Sequence, residues 1–366
     1  MEAFSGIYRG KKVLVTGHTG FKGAWLCEWL LKLGAKVAGY SLDQVSTPSL
    51  FEVNQLATRL KHFEGDIRDL KSLKSAMDSF QPEIVFHLAA QSLVRKSYDE
   101  PLSTFETNIL GTVNLLEILR STPTIKAGVF VTTDKCYENL GGETAFRETD
   151  ALGGKDPYSA SKAAMEMVVH SYHQSFFKNS STHIASVRAG NVVGGGDWAV
   201  DRVIPDCMRA WAEQKPVSLR NPDYVRPWQN VLEPLSGYLA IGAELLTGNL
   251  NIVGEAFNLG PEIEHCKTVR EVVTELNRHF KKAVPFEVAE SDPQKTEAPL
   301  LRLNCDKAYE KLKWLPVLSF AETFSMTAEW YQAFYQGHSE SIPVTQMQIS
   351  EFEAIAQEKN LAWAAH

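Results

Sequence analysis

Through the first half of the chain, short apolar runs alternate with stretches whose apolar residues recur at helical spacing. Residues 12–17 (KVLVTG) read as a buried strand, and 21–33 (FKGAWLCEWLLKL) as a helix that Gly34 stops. A second strand is predicted at 36–40, a weaker third at 62–66, and a helix from about residue 69 to 80. Residues 83–89 (EIVFHLA) are the fourth strand. After Pro101 a long helix carries Leu110, Val113, Leu116 and Leu119 at helical spacing. Residues 128–133 (GVFVTT) form the fifth strand, 157–177 a second long helix, and 184–188 the sixth strand. Near-continuous apolar strands separated by helices predict an α/β fold, a doubly wound parallel sheet covered on both faces.

Beyond about residue 195 the alternation weakens. Helix-like segments at 203–214, 269–280 and 320–335 mix with short strands and proline-rich connections. The expected organisation is a first domain over 1–195, a smaller and mainly substrate-binding domain over 196–336, and an extension over 337–366. Part of the second region is expected to return to the sheet.

Composition narrows the function classes. Hydrophobic residues make up 44% and charged residues 22% of the 366, an ordinary globular mix. The 37 basic and 44 acidic residues give a net charge of −7. That excludes a generally basic nucleic-acid binder and leaves room for a local basic pocket facing a phosphate. No apolar run approaches the roughly 20 residues that cross a bilayer, so no membrane partner is expected. The start of the chain does not read as a secretory signal. Cys27, Cys136, Cys207, Cys266 and Cys305 are scattered, with no C-x-x-C pair. The expectation is free thiols in a reducing cytoplasm, with no disulfide framework and no metal site. Cys136 adjoins the candidate catalytic residues and reads as a packed bystander, because no histidine motif accompanies it.

Gly17, Gly20 and Gly23 (GHTGFKG) lie between the first strand and the first helix. Glycines there permit a tight turn and bring a pyrophosphate close to the N–H groups of the helix N-terminus. The spacing is G-x-x-G-x-x-G, a weak signal alone; placed between a strand and a helix it predicts a dinucleotide site that includes Phe21, with an ordinary βα turn as the bland alternative. Asp43 lies about 20 residues beyond Gly23, where a carboxylate accepts from the adenosine ribose and favours NAD over NADP. Lys22 argues slightly the other way, as a candidate phosphate ligand. Asp66 and Ile67 follow the third strand and are expected to border the adenine; a solvated turn aspartate is the bland alternative. Tyr158 and Lys162 (YSASK) share one helical face. A lysine ammonium and a positive nicotinamide would both lower the phenol pKa from about 10, making Tyr158 a base.

In order along the chain, GHTGFKG, HLAAQS at 87–92, NILGT at 108–112, YSASK at 158–162 and RAGNVVG at 188–194 resemble the extended short-chain dehydrogenases/reductases. The resemblance covers about the first 230 residues. It implies a Rossmann-type NAD(P) domain, a smaller C-terminal substrate region, a nucleotide-sugar substrate, and a homodimer packed through the two long helices. It also implies that Ala89 and Asn108 contact the cofactor, that Asn191 contacts a substrate diphosphate, and that Arg226 holds the nucleotide phosphates. Asn191 and Arg226 read equally as structural loop donors, and Asn108 as a helix residue facing solvent.

The end of the fifth strand, TTDKCY at 132–137, narrows the resemblance. The 4-epimerases of the family place Ser or Thr at the position of Thr133 and need no acid beside it. The 4,6-dehydratases add an Asp, here Asp134, and a second acid–base residue, here Lys135. A lysine at that place is similar to the branch acting on CDP-glucose, as are GHTGFKGAWL and YVRPWQNVLEP at 224–234. The implied chemistry starts with oxidation of carbon 4 by NAD, with Tyr158 as base, Lys162 beside it and Thr133 on the 4-oxygen. Asp134 then acts as acid on the 6-hydroxyl, and Lys135 is the base at carbon 5 or orients a water. Alternatives are a dTDP- or other nucleoside-diphosphate-glucose dehydratase, a 4-epimerase or reductase that leaves Asp134 idle, and a non-catalytic NAD(P)-sensing protein.

Overall fold

The first strand shows how both faces of the sheet are filled. Val13 and Val15 join one hydrophobic cluster and Leu14 joins another. Successive side chains of a strand point to opposite faces, so a strand covered on both sides must be apolar throughout. In the computed structural model, which describes residues 3–44, 46–142, 145–262, 266–280, 286–289, 301–337 and 341–365, this strand is an interior strand of a seven-stranded sheet.

The strands are β1 (Lys12–Thr16), β2 (Lys36–Ser41), β3 (Lys61–Glu64), β4 (Ile84–His87), β5 (Ala127–Val131), β6 (His183–Ala189) and β7 (Ala256–Leu259). Their order is β7-β6-β5-β4-β1-β2-β3, and every pair is parallel. The chain runs outward from β1 to β3, then returns to place β4 on the other side of β1. A crevice opens where the connections diverge, at the carboxyl ends of β1 and β4.

The connecting helices are α1 (Phe21–Lys32), α2 (Leu70–Phe80), α3 and α4. Pro101–Phe105, a π turn at Glu106–Leu110 and Gly111–Ser121 run on as α3. Pro157–Tyr172, prolonged by a π turn at His173–Phe177, is α4. Leu73, Met77, Leu115, Leu116, Met165 and Val169 cover one face of the sheet from α2, α3 and α4.

The other face is covered by α1 and by a helix that periodicity did not reveal. Between α5 (Val203–Ala212) and β7 lies α6 (Leu232–Thr247), buried at every position from Leu232 to Gly242. A helix buried on all sides has no polar stripe to betray its period. Its glycines let it sit close: a Cβ on Gly242 would lie 2.5 Å from the Tyr8 hydroxyl. β7 then pairs with β6, so part of the C-terminal half does rejoin the sheet. All three expected later helices form: α5, α7 (Val269–Asn277) and α8 (Phe320–Gln336).

The extension is helical as well. Helix α9 (Ser341–Glu358) packs along α1, with Trp29 Nε1 donating to Glu353 Oε1 at 2.7 Å. Trp363 stacks on Phe4 with ring centres 5.1 Å apart, so the two chain ends share one aromatic cluster with α1.

Candidate active site

The glycine turn closes the carboxyl end of β1. Gly17 has φ 74°, and a Cβ on it would lie 2.7 Å from the backbone nitrogen of Ala89, beyond β4. A Cβ on Gly23 would lie 2.2 Å from the Gly17 carbonyl. Only glycine fits the second position, and the first also needs the left-handed backbone. Helix α1 starts at Phe21 behind Gly20 with no side-chain cap, so its first N–H groups point at the crevice uncapped by any side chain. This cradle fits the pyrophosphate of a dinucleotide.

From the turn, a cleft of about 1270 Å³ runs along the sheet edge. Pockets for one drug-sized ligand measure about 300–1,000 Å³, so this cleft has room for more than one. Gly17, Gly20, Phe21, Gly23, Asp66, Ile67 and Ala89 line it, as do Thr133, Asp134, Lys135, Tyr158, Lys162, Asn191 and Arg226. Asp66 is paired with Arg68 at 2.6 Å, and the guanidinium holds its carboxyl below the usual range.

Two of the expected cofactor residues are placed differently. Asp43 is exposed, accepts from the backbone nitrogen of Gln44 at 2.7 Å, and stands outside the cleft lining, which Ser41 and Leu42 form at that point. Asn108 is buried within α3 rather than facing solvent. Its Oδ1 accepts from Gln91 N at 2.8 Å, and its Nδ2 donates to Gln91 O and to Ser161 Oγ. The amide thus ties the loop after β4 to α4 and shapes the cleft without lining it.

The reacting groups come together from β5 and α4. Asp156 accepts from Ser159 N at 2.9 Å and Pro157 occupies the first turn, which fixes the start of α4. Tyr158 therefore enters the cleft from the first turn, with Lys162 one turn behind. Past β5, Thr133 caps a short 3₁₀ turn, Asp134–Cys136, and its hydroxyl is 3.1 Å from Asp134 Oδ1. The Thr133 hydroxyl also hydrogen-bonds Tyr158. Gly190 packs against the acid: a Cβ there would lie 2.9 Å from Asp134 Oδ2.

Burial governs the charges. It raises the Asp134 carboxyl above its ordinary value, against Lys135, the Thr133 hydrogen bond, Arg226 and Lys22. It lowers Lys162 to about 8, with Lys22 adding to the effect. Tyr158 is governed by burial as well. Burial pushes it up to about 12, and the hydrogen bond from Thr133 and the charge of Arg202 only partly oppose this. The Lys162 ammonium instead donates to the carbonyl of Val131 at 3.1 Å.

Motif spacing does not show the reach of Lys22 and gives no sign of Arg202. Lys22 reaches the reacting groups from the glycine turn, within 3.4 Å of the Tyr238 hydroxyl. Burial and Arg202 lower it to about 8. Arg202 lines the cleft and pairs with Asp197 at 2.9 Å. No local pattern marks Arg202, and the glycine motif offers Lys22 only as a phosphate ligand. Cys136 is fully buried with its thiol pushed up by burial, as expected of a bystander. Among the described residues no cluster suits a metal ion.

Set against known proteins, this geometry has clear relatives. The chain belongs to the GDP-mannose 4,6-dehydratase family, whose family model matches residues 14–327. It is 43% identical over 350 residues to the CDP-glucose 4,6-dehydratase of Salmonella typhimurium, covering 94% of this chain and 97% of that protein. It is 27% identical over 339 residues to the dTDP-glucose 4,6-dehydratase of Haemophilus influenzae, covering 87% and 97%. Among solved structures, the UDP-glucose 4-epimerase of Thermus thermophilus in complex with NAD superposes with a TM-score of 0.75. It is 27% identical, over 88% of this chain and 99% of that one.

Proposed function

We propose that this protein is an NAD-dependent hydro-lyase that converts CDP-D-glucose to CDP-4-keto-6-deoxy-D-glucose and water. The observation that carries the reading is Asp134, a buried carboxyl beside Thr133 and Tyr158 at the end of β5. A 4-epimerase has no task for such an acid. The nucleotide follows from the 43% identity to the Salmonella CDP-glucose enzyme.

The carbon–oxygen bond at carbon 6 breaks readily only when carbon 4 is a ketone, because the carbon-5 proton then lies beside a carbonyl. NAD, when bound, would supply that oxidation as the acceptor of the carbon-4 hydride and its donor to carbon 6. The N–H groups at the start of α1 and the bare glycine turn hold the cofactor's pyrophosphate. Tyr158 takes the proton of the 4-hydroxyl, and Thr133 hydrogen-bonds the 4-oxygen. Burial holds the Tyr158 phenol near 12 even with Arg202 beside it, so the oxidation depends on further positive charge, that of the nicotinamide. Asp134 holds its proton through burial and donates it to the departing 6-hydroxyl. Lys135 takes the carbon-5 proton or orients a water that does so. Asn191 and Arg226 hold the diphosphate; Arg226 stands 7% exposed on the cleft wall, its guanidinium over Tyr224.

The enzyme is a homodimer in this reading. Leu102 and Leu110 on α3 and Met167 on α4 stand exposed, on the two helices a dimer would pair. The reading places the enzyme in the cytoplasm, where the five free cysteines would stay reduced. No described helix is long and apolar enough to cross a membrane.

The test is incubation with CDP-, dTDP-, UDP- and GDP-glucose and substoichiometric NAD, assayed for a base-labile 4-keto sugar. CDP-glucose should be preferred well over the rest. Comparable kcat/KM on dTDP-glucose would leave only a general dehydratase, and stoichiometric build-up of reduced nicotinamide would indicate an ordinary dehydrogenase.

A further inference from the structure

One buried ion pair reaches both ends of the turn that carries Thr133, Asp134 and Lys135. Glu166 and Arg188 lie 2.9 Å apart, with side chains 3% and 5% exposed. Glu166 stands on α4 one turn beyond Lys162 and two beyond Tyr158, on the same helical face. Arg188 stands on β6. Neither lines the cleft.

At the near end of the turn, the Thr132 hydroxyl donates to Glu166 Oε1, and Thr132 N donates to Val187 O at 2.8 Å. At the far end, Arg188 Nη1 donates to the Tyr137 hydroxyl at 2.9 Å. That hydroxyl donates in turn to Asn258 Oδ1 on β7 at 2.6 Å. The guanidinium also lies 5.0 Å from the centre of the Tyr137 ring. Ser186 Oγ closes the network on Glu166 Oε2 at 2.8 Å. Between these anchors the turn has little rigidity of its own. It is a 3₁₀ piece of three residues, whose Cys136 N–H to Thr133 O bond is 3.3 Å long.

A buried ion pair contributes little net stability, because removing two charges from water offsets their attraction. This pair offers fixed geometry instead. We propose that Glu166 and Arg188 form a positioning clamp that holds the Asp134–Lys135 turn at a set distance from Tyr158 and Lys162. Resting on the dehydratase reading, the clamp couples the groups that eliminate water to the groups that oxidise carbon 4. Tyr158 and Lys162 are held by α4 itself, whereas Asp134 and Lys135 lie between the clamp's anchors, with Gly153 N donating to Cys136 O at 2.9 Å as a further tie.

The test loosens the two ends without touching the ion pair or the reacting groups. Thr132→Val and Tyr137→Phe each remove one hydroxyl at nearly constant volume, and Thr132→Ser restores the first. One readout needs neither substrate nor cofactor: amide hydrogen exchange of a peptide spanning 132–137. In the double variant it should quicken at least about tenfold, with β1 unchanged, and Thr132→Ser should exchange as the wild type does. The other readout is single turnover with CDP-glucose. The rise of reduced nicotinamide should stay within about threefold of wild type, while its decay should slow about 30- to 100-fold, since a misplacement near 1 Å costs about that much. Unchanged exchange over 132–137, or rise and decay slowing by one common factor, would overturn the clamp. A wild-type protein inert toward CDP-glucose would sink the dehydratase reading, and the exchange measurement would still decide the clamp.

Discussion

Replacing Asp134 by Asn changes one proton and almost nothing else. The carboxyl is 2% exposed, and its surroundings are tight, with Gly190 against one oxygen and the Thr133 hydroxyl 3.1 Å from the other. Asparagine has the same shape and keeps an oxygen for that hydroxyl. Burial already opposes the charge on this group, so its removal should leave folding stability equal or slightly raised, by about 1 kcal/mol at most. The substitution removes the proton that burial holds ready for the departing 6-hydroxyl. General acid help is worth about 10²–10⁴ in rate, or about 3–5 kcal/mol of barrier. Oxidation at carbon 4 needs Tyr158 and Thr133 and should continue. In a single-turnover trace of nicotinamide absorbance, wild type should show a brief transient. Asp134→Asn should rise at the wild-type rate and then persist, holding a 4-keto sugar that retains its 6-hydroxyl. Tyr158→Phe, the control, should show no rise. A wild-type decay in Asp134→Asn would remove this residue from the chemistry and favour a 4-epimerase or reductase.

Gly23→Ala would set a Cβ 2.2 Å from the Gly17 carbonyl, backbone against backbone, so α1 must shift. The Kd for NAD, measured calorimetrically without substrate, should rise about tenfold or more, and an unchanged Kd would mean that the turn does not hold the cofactor. His87 is fully buried, bonded to Thr16 and Thr112, and held at about 3 by burial and by Lys162. Its folded value is depressed, so the stability it contributes is complete above pH ~6.5. That stability is lost at about 1.4 kcal/mol per pH unit as pH falls from there toward 3. His87→Gln keeps a hydrogen-bonding side chain and removes that slope. Urea unfolding between about pH 6 and pH 4 should show wild type falling more steeply by that amount, and parallel curves would refute it. Leu102→Arg with Met167→Arg should turn a dimer into monomers by sedimentation at micromolar concentration, and a monomeric wild type would contradict the dimer.

The parts of this protein that were legible in the sequence are those encoded locally. KVLVTG is a strand because a doubly covered strand must be apolar. The glycines of GHTGFKG mark their turn because a Cβ at Gly17 or Gly23 would strike backbone. Tyr158 and Lys162 share a face by helical geometry alone. Helix α6 hid because it is buried along most of its length, and periodicity needs a polar side. Asn108 was misplaced because its partners, Gln91 and Ser161, lie 17 and 53 residues away. The Glu166–Arg188 pair and the approach of Lys22 and Arg202 to the reacting groups are likewise products of the topology, which brings the ends of β1, β5 and β6 to one edge. Spacing shows that Tyr158 has a lysine one turn away and cannot show the burial that raises its phenol.

The central claim is that one hydride leaves carbon 4 and returns to carbon 6 of the same sugar while water departs between them. It is tested most directly by giving the enzyme CDP-glucose deuterated at carbon 4, with substoichiometric NAD, and reading the product by mass spectrometry and proton NMR. The account predicts CDP-4-keto-6-deoxyglucose with one deuterium in its methyl group. A product that keeps its 6-hydroxyl, or a methyl group without the label, would contradict it.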